Sequence, residues 1–329
     1  MSGINASTID GGQEKRRPGI ELRDVAKYGI YIAFCGLFVF LSISSPTFLT
    51  TENILNILRQ SSLNGIIAVG MTFVIITGGI DLSVGSIVAL AAVVATSFAH
   101  PDTYPVAVPI ALGLGVGAAI GLLNGVIIAK GAIAPFVVTL GMMTMARGAG
   151  LVFSSGRPII NLSDEYNSIG GGYFLGIPIP IFLFVGVLLA GIFLLRFARF
   201  GRHVYAVGGN EQASKLSGLN TGRIKIAVYG LSGLFSGFAG VLLSSRVMTG
   251  SPVAGVGYEL DAIAAVVIGG SSLSGGAGSI YGTIIGTLII GIMNNGLDLL
   301  NVSSYYQQIV KGAIIIAAVL LDQKTKSVK

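Results

Sequence analysis

Charge is scarce in this sequence. Asp, Glu, Lys and Arg make up 10% of its 329 residues, against the roughly 25% of an ordinary soluble domain. A chain so poor in charge, 53% hydrophobic and with a mean hydropathy of +0.84, is dissolved in lipid. Cysteine occurs once, as Cys35 within an apolar run. That excludes an intrachain disulfide framework and a cysteine cluster for a metal. The histidines, His100 and His203, fall in separate polar loops without metal-ligand spacing. No G-x-x-x-x-G-K-[ST] phosphate loop is present, so ATP has no such route onto this chain. A nucleophile elbow, H-E-x-x-H and a dinucleotide fingerprint are missing as well. An enzyme reading has no support, and neither a cofactor nor a metal site is expected.

Glycine is abundant, at 49 residues. So many would disrupt soluble helices, but in a bilayer small residues let helix backbones approach and pack. The net charge of +6 is scattered over loops and termini. It reads as membrane orientation and not as a nucleic-acid surface.

Ten apolar segments approach or reach the roughly 17–25 residues that a spanning helix needs. They lie at about 28–43, 63–80, 82–99, 105–129, 133–154, 173–198, 224–249, 258–273, 279–297 and 304–321. The expected fold is an all-α polytopic membrane protein with about ten transmembrane helices, some short, tilted or broken. A polar tail (1–27) precedes a membrane domain (28–322), and a short tail (323–329) follows it. The first segment, with its basic flank and the small residues Ser42 and Ser44, also has the outline of a signal peptide. The stretch 50–62, TTENILNILRQSS, reads as moderately amphipathic with Ile54, Leu55, Ile57 and Leu58 as its apolar face.

Charge sets the orientation. With ten spans and an inside N-terminus, only Arg59, Arg147, Arg157 and Arg246 fall outside, Lys311 lies within a span, and the remaining Lys and Arg face the cytoplasm. Both termini are then cytoplasmic. So is the one long polar interruption, residues 196–223, which contains a short helix. Asn210 is its N-cap, Glu211 complements its positive end and Gly218 stops it. Ala213, Leu216 and Ser217 share a face. Two turns cannot stand alone in water, so the helix docks on its own membrane domain or is presented to a soluble partner.

The remaining candidates are acids and aromatics beside spans, where charge is expensive. Asp81 either N-caps a helix beginning at Leu82 or touches the pathway or its gate. Its stretch GGIDLSVG (78–85) is echoed by GGSSLSGG (269–276), with Ser272 in the matching place. The two lie six spans apart and so point the same way, which reads as one glycine-rich turn used twice and not as an inverted repeat. Glu259 and Asp261 open a helix near its outer end, as dipole-complementing acids or as the pathway mouth. Lys311 either snorkels to headgroups or pairs with a carboxylate, and Arg147 and Arg246 are expected to snorkel. Pro135 starts a helix, and Phe136 beside it is a core residue or a sugar-stacking ring.

Taken together, VGMTFVIITGGIDLSVGSIVAL, IAPFVVTLGMM, YAVGGNEQASKLSGLNTGRIKI, GYELDAIAAVVIGGSSLSGG, NNGLDLL and SSYYQQIVKGAIIIAAVLLD resemble the permease subunits of bacterial monosaccharide ABC importers, from about Ser45 to Asp322. The resemblance implies an inner-membrane homodimer of such permeases, a cytoplasmic ATPase on a separate chain, and a periplasmic sugar-binding protein that delivers the cargo. The ribose-importing members are most similar, and galactose and xylose permeases share the motifs. The family's ATPase-coupling loop matches Gly209, Asn210, Glu211, Ala213, Ser214, Lys215, Leu216, Ser217 and Gly218. An ion-driven carrier coupled through Asp81, Glu259 or Asp261 is the competing expectation. Such a carrier has no need to display a capped helix.

Overall fold

The computed structural model describes residues 22–327, and the reading of residues 1–21 as a polar tail lies outside them. Among the described residues the chain is helical apart from one small hairpin. Six helices are long and apolar enough to cross a membrane: α2 (Thr51–Ile76), α4 (Ala107–Gly131), α5 (Pro135–Phe153), α7 (Ile179–Ile192) with its π-helical continuation Phe193–Phe197, α10 (Thr221–Val247) and α12 (Ile280–Leu299). Helix α1 (Leu22–Ser44) contains a shorter apolar stretch, Phe34–Ser44, the short polar α6 (Asp164–Gly171) lies between α5 and α7, and α13 (Ser304–Ser327) closes the chain. All ten apolar segments of the sequence fall on helices.

Helices α2 and α10 form the centre. Both are mostly buried, whereas α4, α5 and α7 bury only one side. The α4–α10 crossing shows what the glycines do. Gly113, Gly117, Gly121 and Gly125 recur every fourth residue on α4, and all are buried. A Cβ on Gly117 would lie 2.4 Å from the Gly233 carbonyl oxygen, and one on Gly121 2.3 Å from that of Tyr229. Backbone meets backbone here, so dispersion and close approach stabilise a pair that lipid gives no hydrophobic reason to form.

Two apolar helices are shorter than the hydrocarbon core is thick. Helix α3 (Val84–Ser97) has 14 residues and α11 (Tyr258–Ile268) has 11, which at about 1.5 Å per residue gives roughly 21 and 17 Å against a hydrocarbon core of roughly 30 Å. Their flanks are irregular and only partly covered by neighbouring helices, and irregular backbone at membrane depth is tolerated where protein or a water-filled cavity surrounds it.

Several expected boundaries move. The amphipathic stretch 50–62 and most of the span 63–80 lie on one helix, α2, because Ser61 and Ser62 between them are buried and the Ser62 hydroxyl donates to the Leu58 carbonyl. The span expected from 173 starts instead with the hairpin β1 (Tyr173–Phe174) and β2 (Ile177–Pro178), turned by Leu175 and Gly176 at φ 52° and 80°. Two successive positive φ values make the tight turn that matches strand twist. Helix α1 begins at Leu22 and α13 runs on to Ser327, so both helices extend past the apolar segments read from the sequence.

Candidate functional site

The polar interruption folds as two helices, α8 (Arg199–Gly209) and α9 (Glu211–Leu216). Asn210 separates them in extended conformation, and its Oδ1 accepts from the Ala213 amide at 2.9 Å. The far end closes with two reversed bonds, Gly218 N to the Lys215 carbonyl and Leu219 N to the Ser214 carbonyl, each 3.0 Å, with Gly218 at φ 84°. That Schellman closure needs a residue free of Cβ strain, and glycine provides it. The expected cap and stop are both present.

Glu211 does more than complement a dipole. Its carboxylate takes Lys215 Nζ at 3.0 Å, Lys225 Nζ at 2.7 Å and the Thr221 hydroxyl at 3.3 Å. Partial burial pulls its pKa upward, but the two ammonium groups outweigh that and hold it below the ordinary glutamate range. Lys225 and Thr221 belong to α10, so Glu211 fastens the loop helix to a central span. Ser214 is also buried and faces inward. Leu216, by contrast, is 90% exposed, with exposed Ala213 and Ser217 beside it. A large apolar side chain held out on a capped, pinned helix is a knob without a hole.

Behind the helix three backbones meet. A Cβ on Gly208 would stand 1.7 Å from the Ile76 carbonyl oxygen and 2.7 Å from the Gly276 amide, which itself donates to Ile76 O at 2.9 Å. Gly275 packs in the same way on Gly78, and Gly276 on Gly209. The Tyr205 hydroxyl donates to the Gly278 carbonyl at 2.7 Å, and burial raises its pKa, so it remains a protonated donor. The end of α8 thus sits against both glycine-rich turns. The echo between them is structural: Ser83 N donates to Asp81 Oδ1 at 3.0 Å, and Ser274 N to Ser272 Oγ at 3.2 Å, the same two-residue turn.

Asp81 differs from the sequence expectation. Helix α3 starts at Val84, not Leu82, and Asp81 is not its N-cap. Fully buried, it accepts from Ser83 N and Oγ on one oxygen and from the Ser232 hydroxyl of α10, at 2.9 Å, on the other. Asn124 of α4 adds a bond to Ser83 Oγ at 2.9 Å. The Thr139 hydroxyl donates to the neighbouring Ile80 carbonyl, which brings the start of α5, and with it the exposed Phe136, beside the same turn.

The other acids lie elsewhere. Asp261 is buried and pairs with Lys311 of α13 at 3.0 Å, which decides between the two readings of that lysine. Glu259 leans over Gly85, where a Cβ would lie 2.1 Å from its Oε2. Arg147 and Arg246 do not snorkel. Arg147 donates twice to Ser86 of α3, and Arg246 to Asn56 of α2. Ser232, Asn124, Tyr205 and Gly208 escaped sequence reasoning; only the paired glycines at 208–209, just before a cap residue, hinted at a close approach.

The family described as branched-chain amino acid transport system, permease component, matches residues 53–319. This chain belongs to that permease family. It is 52% identical over 300 residues to the ribose import permease of Bacillus subtilis, which covers 91% of this chain and 93% of that protein. Its identity to the ribose import permease of Escherichia coli K12 is 50% over 297 residues, 89% of this chain and 92% of the other. The L-arabinose ABC transporter permease of Azospirillum brasilense is 45% identical over 300 residues, 91% and 88%. No solved structure matches. The permease is therefore a multi-pass membrane transport component and not an enzyme.

Proposed function

We propose that this permease is the membrane-spanning subunit of an ATP-driven importer that carries ribose across the bacterial inner membrane. It works as a homodimer with a cytoplasmic ATPase on a separate chain and a periplasmic binding protein that delivers the sugar. Ten helices cross the bilayer, with the short α3 and α11 counted among them, and both termini face the cytoplasm. The pathway is the groove between two copies, with Phe136, Asp81, Glu259 and Asp261 in or beside its wall. The relatives carry the choice of cargo, since ribose permeases are the more similar and the arabinose permease follows.

The observation that carries the coupling role is Leu216, held 90% exposed on a helix that is capped, closed and ion-paired to α10. In this reading Gly209 to Gly218 form the ATPase contact. Leu216, Ala213 and Ser217 are its presented face, while Asn210, Glu211, Ser214, Lys215 and Gly218 shape and seat it. An ion-driven carrier has no use for such a knob. Central apolar anchors often contribute about 2 kcal/mol or more to a protein contact, and an aspartate in their place adds the cost of burying an unpaired charge. Leu216→Asp is expected to assemble in the membrane, lose ATPase co-purification and abolish hydrolysis stimulated by liganded binding protein in proteoliposomes. Wild-type recruitment by that variant would remove α9 from the coupling role. Uptake of labelled ribose, arabinose, galactose and xylose by the full complex tests the cargo.

A further inference from the structure

A cavity of about 390 Å³ opens where α7, its π-helical continuation and α8 pass the start of α12. Its floor is apolar, made by Ile192, Leu195 and Ile280, and its rim carries Arg196 and Arg202. No acidic side chain lines it. Neither arginine forms an ion pair among the described residues, and Arg196 has only the Tyr281 hydroxyl, at 3.4 Å, and the Phe197 ring beneath it. The cavity is also lined by the first turn of α12, which is capped by Ser279 and carries no acidic side chain, so its positive end has no counter-charge. Two guanidinium groups and a helix N-terminus converge on one space without a counter-charge.

Beside the cavity, the outer face of α7 and its π-helical continuation presents Leu189, Phe193 and Phe197, all exposed and four residues apart, with the two phenylalanine rings stacked at 6.4 Å. This apolar ridge runs along α7 and its π-helical continuation up to the start of the polar loop. A soluble anion would leave the ridge and the apolar floor uncovered. A molecule with an anionic head and a hydrocarbon tail covers all three.

We propose that this cavity is a binding site for an anionic phospholipid. Its phosphate bridges Arg196 and Arg202 at the α12 N-terminus, and an acyl chain lies along Leu189, Phe193 and Phe197. Guanidinium groups suit this role because their planar forks match phosphate oxygens, and basic pockets between helices on the cytoplasmic side recognise such headgroups. Tyr205 lines the same cavity and bonds to Gly278, so the lipid braces the base of the loop against the glycine-rich turn. Placement in the inner leaflet rests on the cytoplasmic reading of the loop, whereas binding itself does not.

The test is thermal unfolding and native mass spectrometry of the full-length permease in neutral detergent, titrated with phosphatidylglycerol, phosphatidylcholine or inorganic phosphate. Phosphatidylglycerol is expected to bind saturably and raise Tm, and phosphatidylcholine and phosphate to do neither. Arg196→Gln with Arg202→Gln should weaken phosphatidylglycerol at least tenfold, while the exposed Arg199→Gln leaves it unchanged. Should the double variant fail to fold, enrichment of phosphatidylglycerol on the purified wild type above its share of the membrane lipid decides the matter. Equal binding of phosphatidylcholine, an undiminished response in the double variant, or no enrichment overturns the proposal. Inorganic phosphate matching phosphatidylglycerol makes the cavity a soluble-anion site, and displacement of the lipid by added ATPase makes it a partner contact; either overturns it too. Labelling of the loop from outside would move the lipid to the other leaflet and leave these binding results standing.

Discussion

At the scale of single residues, Asp81 shows how a buried acid can serve structure first. All three of its hydrogen bonds come from hydroxyl and amide donors, and one of them ties the α2–α3 turn to α10. Asp81→Asn keeps the turn through Oδ1, and the Ser232 hydroxyl can rotate to accept from the new amide. It is expected to preserve fold and labelled-ribose uptake. Asp81→Ala strands the Ser83 amide and the Ser232 hydroxyl in the interior, at a cost of about 1–3 kcal/mol, read as a lowered Tm. Normal assembly of Asp81→Asn with no uptake would show that the charge itself is used, and would return the ion-coupled reading. Serine at 81 repeats the turn that Ser272 makes but is too short for Ser232, so Asp81→Ser should fall between the two. The sequence showed the turn, because Asp81 and Ser272 recur in one local pattern. It could not show Ser232, which lies 151 positions away and meets Asp81 only once α10 has docked. Lys311 repeats the lesson: its partner Asp261 is fixed by the register of α11 on α13, which no spacing along the chain reveals.

At the scale of elements, the loop helix was legible because caps are local chemistry. Asn210 and Gly218 act within five residues of themselves. The joint behind it was not, because three segments far apart in the chain build it. Neighbouring glycines there provide a matched pair. A Cβ on Gly208 runs into the Ile76 carbonyl, backbone that cannot yield, whereas one on Gly209 meets nothing within 4 Å. Gly208→Ala is expected to displace α8 from the glycine-rich turns and lower Tm, while Gly209→Ala keeps the wild-type Tm. Equal Tm values for the two variants would show that the contact is slack. Acid tests the other anchor. The Glu211 pKa is lowered on folding, so its ion pairs stabilise the docked helix fully above the ordinary glutamate range and are lost as pH falls through the folded value. Limited proteolysis of the loop should therefore accelerate below about pH 4.5. Glu211→Gln should be cleaved faster at neutral pH and show no such acid step.

At the scale of the whole molecule, hydropathy located the long apolar helices but not how far each one reaches, and it passed over the polar α6. Composition reports lipid or protein surroundings equally as apolar. It therefore could not distinguish a full span such as α10 from the buried half-length α3 and α11, and it drew two elements where α2 is one. Whether the short helices complete crossings is decided by which faces their flanks occupy. Three helices, α10, α11 and α12, separate Ser217 from Ser303, and three of spanning length, α4, α5 and α7 with its π-helical continuation, separate Thr103 from Ser217. If all of them cross, Ser217 stands alone on the cytoplasmic face and the other two lie outside. All three side chains are exposed, and so is the native Cys35, which must first become serine. In a Cys35→Ser background, Thr103→Cys and Ser303→Cys are expected to react with an impermeant maleimide added to intact spheroplasts. Ser217→Cys should react only after permeabilisation. Reaction of Ser217→Cys from outside would invert the orientation. Protection of Ser303→Cys together with Ser217→Cys would remove one crossing, and α11, at 11 residues, is the helix that would lose it.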